Sequence, residues 1–199
     1  MRRKDQPKSM SIVLFLGRNV KEYIEVSGQA IQELIATSRL QCDHCLRPMK
    51  RHSSYERGIK ETGVKLTITI VRCKPCNNGH ALLPDFLLPR KHYSGNEIES
   101  VIIDSASNTV EEIETEASEP TVRRWITQIG ESIKRASNII KYLFHRTGKA
   151  ISELSIFPGA PYSELEQLLE KAPCPLKHSG NKLGLANLWI GTNEARAYI

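Results

Sequence analysis

Four cysteines stand in two pairs of one form, Cys42-Asp43-His44-Cys45 and Cys73-Lys74-Pro75-Cys76. Two intervening residues let a tight turn aim both sulfurs at one point, while backbone amides near the turn stabilise thiolates. Two such knuckles brought together supply the tetrahedral four-sulfur shell of a closed structural Zn2+ site. The competing chemistry of a C-x-x-C pair is redox exchange, which calls for a βαβ surround that neither pair has. A shell filled by four protein ligands has no open position for water, so the expected role of the metal is structural. His44, His52 and His80 are near enough in sequence to replace one cysteine, His80 best of all, four residues beyond Cys76. The expected ligand set is nevertheless Cys42, Cys45, Cys73 and Cys76. The fifth cysteine, Cys174, is read as a small buried side chain.

Those ligands need a hairpin to bring them together. The stretch Lys65–Arg72 alternates polar and apolar residues, is rich in β-branched ones and leads straight into Cys73. That is the period of a half-buried strand. Tyr55–Ile59 is its expected antiparallel partner, with the turn near Glu61-Thr62-Gly63. The 27 residues between Cys45 and Cys73 suit a ribbon of two or three strands. Upstream, Ser11–Leu16 reads as a short strand ended by Gly17, and a helix is expected from Gln29 to Thr37. Downstream, Ala81–Pro89 is apolar but interrupted by Pro84 and Pro89. Proline lacks the donor that a helix or central strand needs, so an extended connector is expected.

Helical signals follow. Ser94 with Glu97 forms a capping pattern for a helix to about Ser105, and Thr109 with Glu112 opens a short second helix through Ala117. Ser118 reads as an N-cap with Pro120 in the first turn of a third helix, which runs towards Phe144 before Gly148. That helix places Val122, Trp125 or Ile126, Ile129 and Ile133 on one face, with Trp125 in the core. Pro161–Lys171 is a further expected helix, followed by a break at Pro173-Cys174-Pro175. A short helix, a turn and a longer basic helix fit a helix-turn-helix, whose second helix meets the major groove of DNA by its N-terminal part. Thr121, Arg123, Arg124, Thr127 and Gln128 are its expected outward contacts. Arginine suits guanine edges or phosphates, and glutamine suits adenine. Arg47, Lys50, Arg51, Arg57, Arg72 and Lys74 of the ribbon would hold phosphates. The plain alternative for the second half is an ordinary helical hairpin with a solvated basic face.

Charge supports a polyanionic partner. The 199 residues carry 28 basic against 22 acidic side chains, a formal net charge of +6. Residues 39–92 hold eleven basic and four acidic residues, 93–119 hold eight acidic and no basic, and 120–150 hold seven basic and one acidic. Two basic blocks flanking an acidic one suggest two contact surfaces separated by a face that avoids phosphate. Only 6% of residues are aromatic, so small units would draw stability from a metal. No apolar run is long enough to cross a membrane, and the basic start lacks a signal-peptide core. A cytoplasmic, nucleoid-associated protein is expected, with no membrane and no small-molecule substrate.

The order of C-x-x-C, Arg51-His52-Ser53-Ser54-Tyr55-Glu56-Arg57, Gly63-Val64, a strand and Arg72-Cys73-x-x-Cys76 resembles the N-terminal zinc ribbon of bacterial insertion-sequence transposases. The continuation from His80 to Pro89 more closely resembles an uncharacterised bacterial domain family related to those ribbons, and the likeness covers about Ser11 to Ile103. It implies the four cysteines as zinc ligands and a mobile-element context, with a transposase or integrase as protein partner. A transposase catalytic domain needs three acidic metal ligands, whereas residues 151–199 contain no aspartate, so no enzyme activity is expected. The expected fold is α+β, with a zinc ribbon over 11–92, a helix-turn-helix unit over 93–150 and a helical extension over 151–199. The expected function is zinc-dependent binding of double-stranded DNA. The alternative is a zinc-stabilised protein–protein adaptor docking through Ala81–Pro89 and the acidic block Glu97–Glu119.

Overall fold

The computed structural model describes residues 10–42, 44–146, 161–172, 178 and 180–194. The fold is α+β. Four strands, β1 (Met10–Leu14), β2 (Lys50–Gly58), β3 (Lys65–Arg72) and β4 (Gly79–Pro84), form one sheet in the order β1-β4-β3-β2. The β1–β4 pair is parallel and the other two are antiparallel. The expected strand ending at Arg72 is β3, and its antiparallel partner is β2, joined to it through a turn with Gly63 at φ +67.

The helix α1 (Val20–Ala36) lies on this sheet. Gly17, at φ +120, turns the chain into it; a Cβ there would stand 2.8 Å from the Tyr23 backbone nitrogen. Asn19 caps the helix by accepting the Glu22 N–H at 3.0 Å, and Glu22 accepts the Arg18 N–H at 2.9 Å. Tyr23, Ser27 and Ile31 recur every fourth residue on the buried face. Tyr23 donates its hydroxyl to the Thr67 carbonyl at 2.9 Å and meets Phe86 edge-on. The helix therefore begins nine residues before the expected Gln29, because a polar cap and buried Tyr23 outweigh the irregular apolar spacing of its first turns.

Ala81–Pro84 is not a connector. It belongs to β4, an inner strand between β1 and β3. The two ladders of β4 are offset: β3 pairs with Gly79–Ala81, while β1 pairs with His80–Pro84. Pro84 falls beyond the β3 ladder, where its missing N–H leaves no partner unserved. Residues 81–88 are buried throughout, so the docking stretch required by the adaptor reading is not at the surface.

The second half is helical: α2 (Gly95–Asp104), α3 (Glu119–Arg146), α4 (Pro161–Lys171) and α5 (Lys182–Glu194). Ser94 caps α2 by accepting the Glu97 N–H at 3.2 Å, and Ser118 precedes α3 with Pro120 in its first turn, both as the sequence implies. The short helix expected through Ala117 is instead a single 3-10 turn, Val110–Glu112. Its carboxylate Glu112 accepts both the N–H and the hydroxyl of Thr109, and the chain beyond is extended from Ile113. Glu97 accounts for this, since it accepts the Thr115 hydroxyl at 2.5 Å and the Glu116 N–H at 3.3 Å and so draws the backbone away from helix. The first helix of the expected helix-turn-helix is thus absent among the described residues.

Two apolar clusters divide between consecutive residues, Leu87 in the sheet's and Leu88 in the helices'. Trp125 sits in the helical cluster, its ring T-shaped against Tyr93 at 4.8 Å, as expected of a core residue. Leu165, Leu168, Leu169 and Trp189 share that cluster with α3, so α4 and α5 pack as part of the helical unit. Glu99 of α2 locks them in place by accepting the Tyr162 hydroxyl at 2.8 Å and the Leu183 N–H at 2.9 Å. Cys174, the break around it and the Gly148 stop lie outside the described residues.

The two units meet at a buried polar joint. Asn181 accepts the Gly184 N–H at 2.5 Å, and its amide approaches the carbonyl oxygen of buried Asp85 at 3.5 Å. A Cβ at Gly184 would stand 1.9 Å from that oxygen. Gly184→Ala must force the backbones apart and is expected to cost about 1–3 kcal/mol, as overpacking commonly does. Urea unfolding measures it; an unchanged midpoint would contradict the close approach.

Candidate metal centre and the basic surface around it

The two knuckles are built alike. The Cys42 N–H donates to the Arg47 carbonyl and the Cys73 N–H to the Asn78 carbonyl, in each case five residues on, both at 2.9 Å. The residue after each second cysteine has a left-handed backbone, Leu46 at φ +57 and Asn77 at φ +59. For an L-residue such as leucine that conformation costs roughly 1–2 kcal/mol. One knuckle precedes β2 and the other joins β3 to β4.

This geometry gathers the four expected cysteines and leaves the histidines out. The sulfurs of Cys42, Cys45, Cys73 and Cys76 all lie within 4.8 Å of one another, and Cys45 approaches Cys73 at 3.4 Å. A tetrahedron with metal–sulfur bonds of about 2.3 Å has edges of about 3.8 Å, so one small ion fits the cluster. His80 is buried within β4, His52 stands 3.4 Å from Arg72, and His44 is exposed. Cys42 and Cys73 are buried and Cys45 and Cys76 half-buried, which closes the site on its inner side.

The backbone prepares one of the sulfurs for a cation. The Arg47 N–H, and then hydrogen bonding to Cys76, pull the Cys45 thiol down to about 7. Its neighbour Cys76 is pushed up to about 12, first by its hydrogen bond to Cys45 and then by burial. Four sulfurs this close cannot all ionise unaided. A metal supplies the missing positive charge and expels the remaining protons.

The sequence comparisons bear on this same region. Residues 42–125 match a domain of unknown function (DUF6431). The DUF6431 region opens on the first cysteine of the cluster and takes in both knuckles, β2 to β4, α2 and the start of α3 as far as Trp125. No curated protein and no solved structure matches the chain.

Around the knuckles of the DUF6431 region the basic residues divide by environment. Arg47, Lys50, Arg51 and Lys74 are exposed, and Arg72 is half-buried beside its register partner Lys50. No carboxylate pairs with any of these five among the described residues. Arg57 is different. It is only 7% exposed and donates to the Leu88 carbonyl at 2.6 Å and to that of Lys91, so its charge serves the fold and does not meet phosphate. Burial lowers its pKa.

The residues expected at the front of the long helix are mostly committed. Arg123 donates to Glu119 at 2.8 Å and to Glu111 at 2.7 Å, which satisfies it within the chain. Thr121 lies 3.1 Å from the Ser118 hydroxyl, Thr127 donates to the Arg123 carbonyl, and Gln128 accepts from Lys91 at 3.2 Å. Arg124 alone of that set makes no side-chain hydrogen bond or ion pair among the described residues, and it is exposed. Sequence reading missed these commitments because every partner comes from a different element or from the opposite end of a turn. It also passed over the polar residues of α3 beyond Gln128, although their helical spacing was available.

Replacing Cys73 by serine removes one corner of the cluster and is expected to abolish tight metal binding and unfold the sheet. Metal analysis with circular dichroism checks it. Because bound metal must displace thiol protons, affinity is expected to fall as pH falls through the thiol range. Calorimetry in two buffers of different ionisation enthalpy reads that proton release, and binding independent of pH would contradict four-thiolate ligation.

Proposed function

We propose that the chain is a zinc-stabilised, non-catalytic protein that binds double-stranded DNA. The observation that carries this reading is the group Arg47, Lys50, Arg51 and Lys74 on the knuckle end of the sheet, exposed and paired with no carboxylate among the described residues. Like charges held together without counter-ions cost free energy that a polyanion relieves, and phosphates are the common one. Four clustered thiolates suit zinc by softness and geometry, with an iron site as the alternative that metal analysis separates. A shell complete in protein ligands gives no position for substrate water, which supports a structural metal.

The adaptor reading has less support. Its apolar docking stretch is buried, and in its acidic block Glu97, Glu99, Glu111, Glu112 and Glu119 hold hydrogen bonds within the chain. A mobile-element context, with a transposase or integrase as partner, rests on the resemblance of the knuckle region alone. No described helix is long and apolar enough to cross a membrane.

Duplex DNA titrated at several salt concentrations tests the reading. Removing one phosphate-binding side chain lowers the log–log salt slope by about 0.9. The Lys50→Ala/Arg51→Ala/Lys74→Ala variant is therefore expected to reduce the slope by about two to three units for every sequence alike. Arg57→Ala leaves the Leu88 and Lys91 carbonyls without their donor and is expected to reduce stability by about 1–3 kcal/mol, with the slope unchanged in the folded fraction. Failure of the unmodified protein to bind duplex DNA at low salt would end this proposal.

A further inference from the structure

The solvent face of α3 carries a polar stripe whose one tie to another element is the Lys91–Gln128 hydrogen bond at 3.2 Å, among the described residues. At about 100° per residue, Arg124, Gln128, Glu131, Arg135, Asn138, Tyr142 and Arg146 all fall within about 40° of one direction. Every one of them is exposed. The opposite face, with Trp125, Ile129, Ile133, Ile140 and Leu143, is buried in the helical cluster. The stripe spans about 33 Å at about 1.5 Å per residue.

Charge decides what fits there. The stripe holds three arginines against Glu131, and no carboxylate pairs with Arg124, Arg135 or Arg146 among the described residues. The Arg135 side chain donates only to the Ser132 hydroxyl at 2.9 Å, and the Asn138 side chain makes no hydrogen bond among the described residues. Of the acidic residues near this helix, Glu111 and Glu119 are tied to Arg123, about 100° round from Arg124, and Glu164 to Lys141. Arginine, asparagine and glutamine are the side chains that pair bidentately with base edges. Tyr142, 59% exposed, is the single large apolar group on the stripe, whereas a protein interface needs a cluster of them at its centre.

We propose that the exposed face of α3, centred on Arg135, Asn138 and Tyr142, enters the major groove of B-form DNA and reads its sequence. This rests on the DNA reading above and deepens it: the knuckle end supplies phosphate affinity, and α3 supplies choice. The major groove of B-DNA is wide enough for a helix, while that of A-form RNA is too narrow. Duplex RNA of the same sequence is therefore a weak ligand. The contact lies further along the helix than Thr121 and Arg123.

The test uses the full chain loaded with zinc and a randomised duplex pool. The unmodified protein is expected to enrich a consensus, and to bind it at least about tenfold more tightly than scrambled DNA or the matching RNA duplex. Arg135→Ala/Asn138→Ala/Tyr142→Ala is expected to lose that preference, with zinc content and circular dichroism unchanged because all three residues are exposed. The Lys50→Ala/Arg51→Ala/Lys74→Ala variant should keep the preference while its affinity for all sequences falls. If the α3 variant selects the same consensus with the same affinity, or no consensus emerges, the α3 proposal is overturned while duplex binding through the knuckles stands. If only the knuckle variant behaves as unmodified protein, the phosphate role of the knuckles falls and the α3 proposal stands. Absence of any duplex binding removes both.

Discussion

The convergence of four sulfurs at one end of the sheet is the constraint on which the first half of the molecule depends. Along β2, Arg57 is the single buried side chain of nine residues, so apolar burial cannot hold this strand in place. Its ladder to β3 is interrupted by a register shift between Arg51 and Ser53. The strand is fixed instead at its two ends: by the first knuckle where it begins, and by Arg57 near its close. Both knuckles contain a left-handed residue, and Leu46 in that conformation is 71% exposed, with little packing to offset the strain. A metal bound there would offset it, with on the order of 10 kcal/mol of binding free energy coupled to folding if the ion is zinc.

Arg57 is the second anchor and explains how the two apolar clusters are kept in register. A buried cation survives only if its donors are satisfied. The guanidinium meets this by bonding the carbonyls of Leu88 and Lys91, in the segment where the chain passes from sheet to helices. At the same passage Glu61 accepts the Ser94 N–H at 2.7 Å, so the β2–β3 turn helps to start α2. The block of carboxylates from Glu97 to Glu119 works similarly. It serves as a set of caps and ties for α5, the 3-10 turn and α3, more than as a surface that repels phosphate.

What could be read from the sequence follows from how local each determinant is. The knuckles and β3 were legible because two residues of spacing and a period of two are local patterns, and the Ser94 cap is complete within four residues. The inner position of β4 was not, since it depends on β1, some seventy residues away, pairing past the point where β3 stops. The first half of α1 was hidden because its determinants are Gly17's turn and Tyr23's bond to Thr67. The helix expected before Ala117 does not form because the Glu97 carboxylate competes for the backbone from a different element. Arg57 and Arg123 look like phosphate contacts by type and neighbours alone. Only the fold shows that carbonyls and carboxylates already claim them.

The residues on the open face of α3 do not all require the same explanation. His145 and Arg146 sit in the last turn, where positive charge is favoured by the helix dipole whether or not a ligand exists. Arg124 lies in the second turn, where a positive charge gains nothing from that dipole. Arg135 and Asn138 lie in the middle, far from either end. Asparagine is a poor helix former, disfavoured by about 0.7 kcal/mol against alanine, and Asn138 recovers none of this through a side-chain hydrogen bond among the described residues. Tyr142 likewise leaves 59% of its surface in water. Helix stability, dipole complementation and core packing therefore account for the C-terminal end and the inner face of α3 but not for the centre of its outer stripe. That centre is where a contact from outside the chain has most to explain.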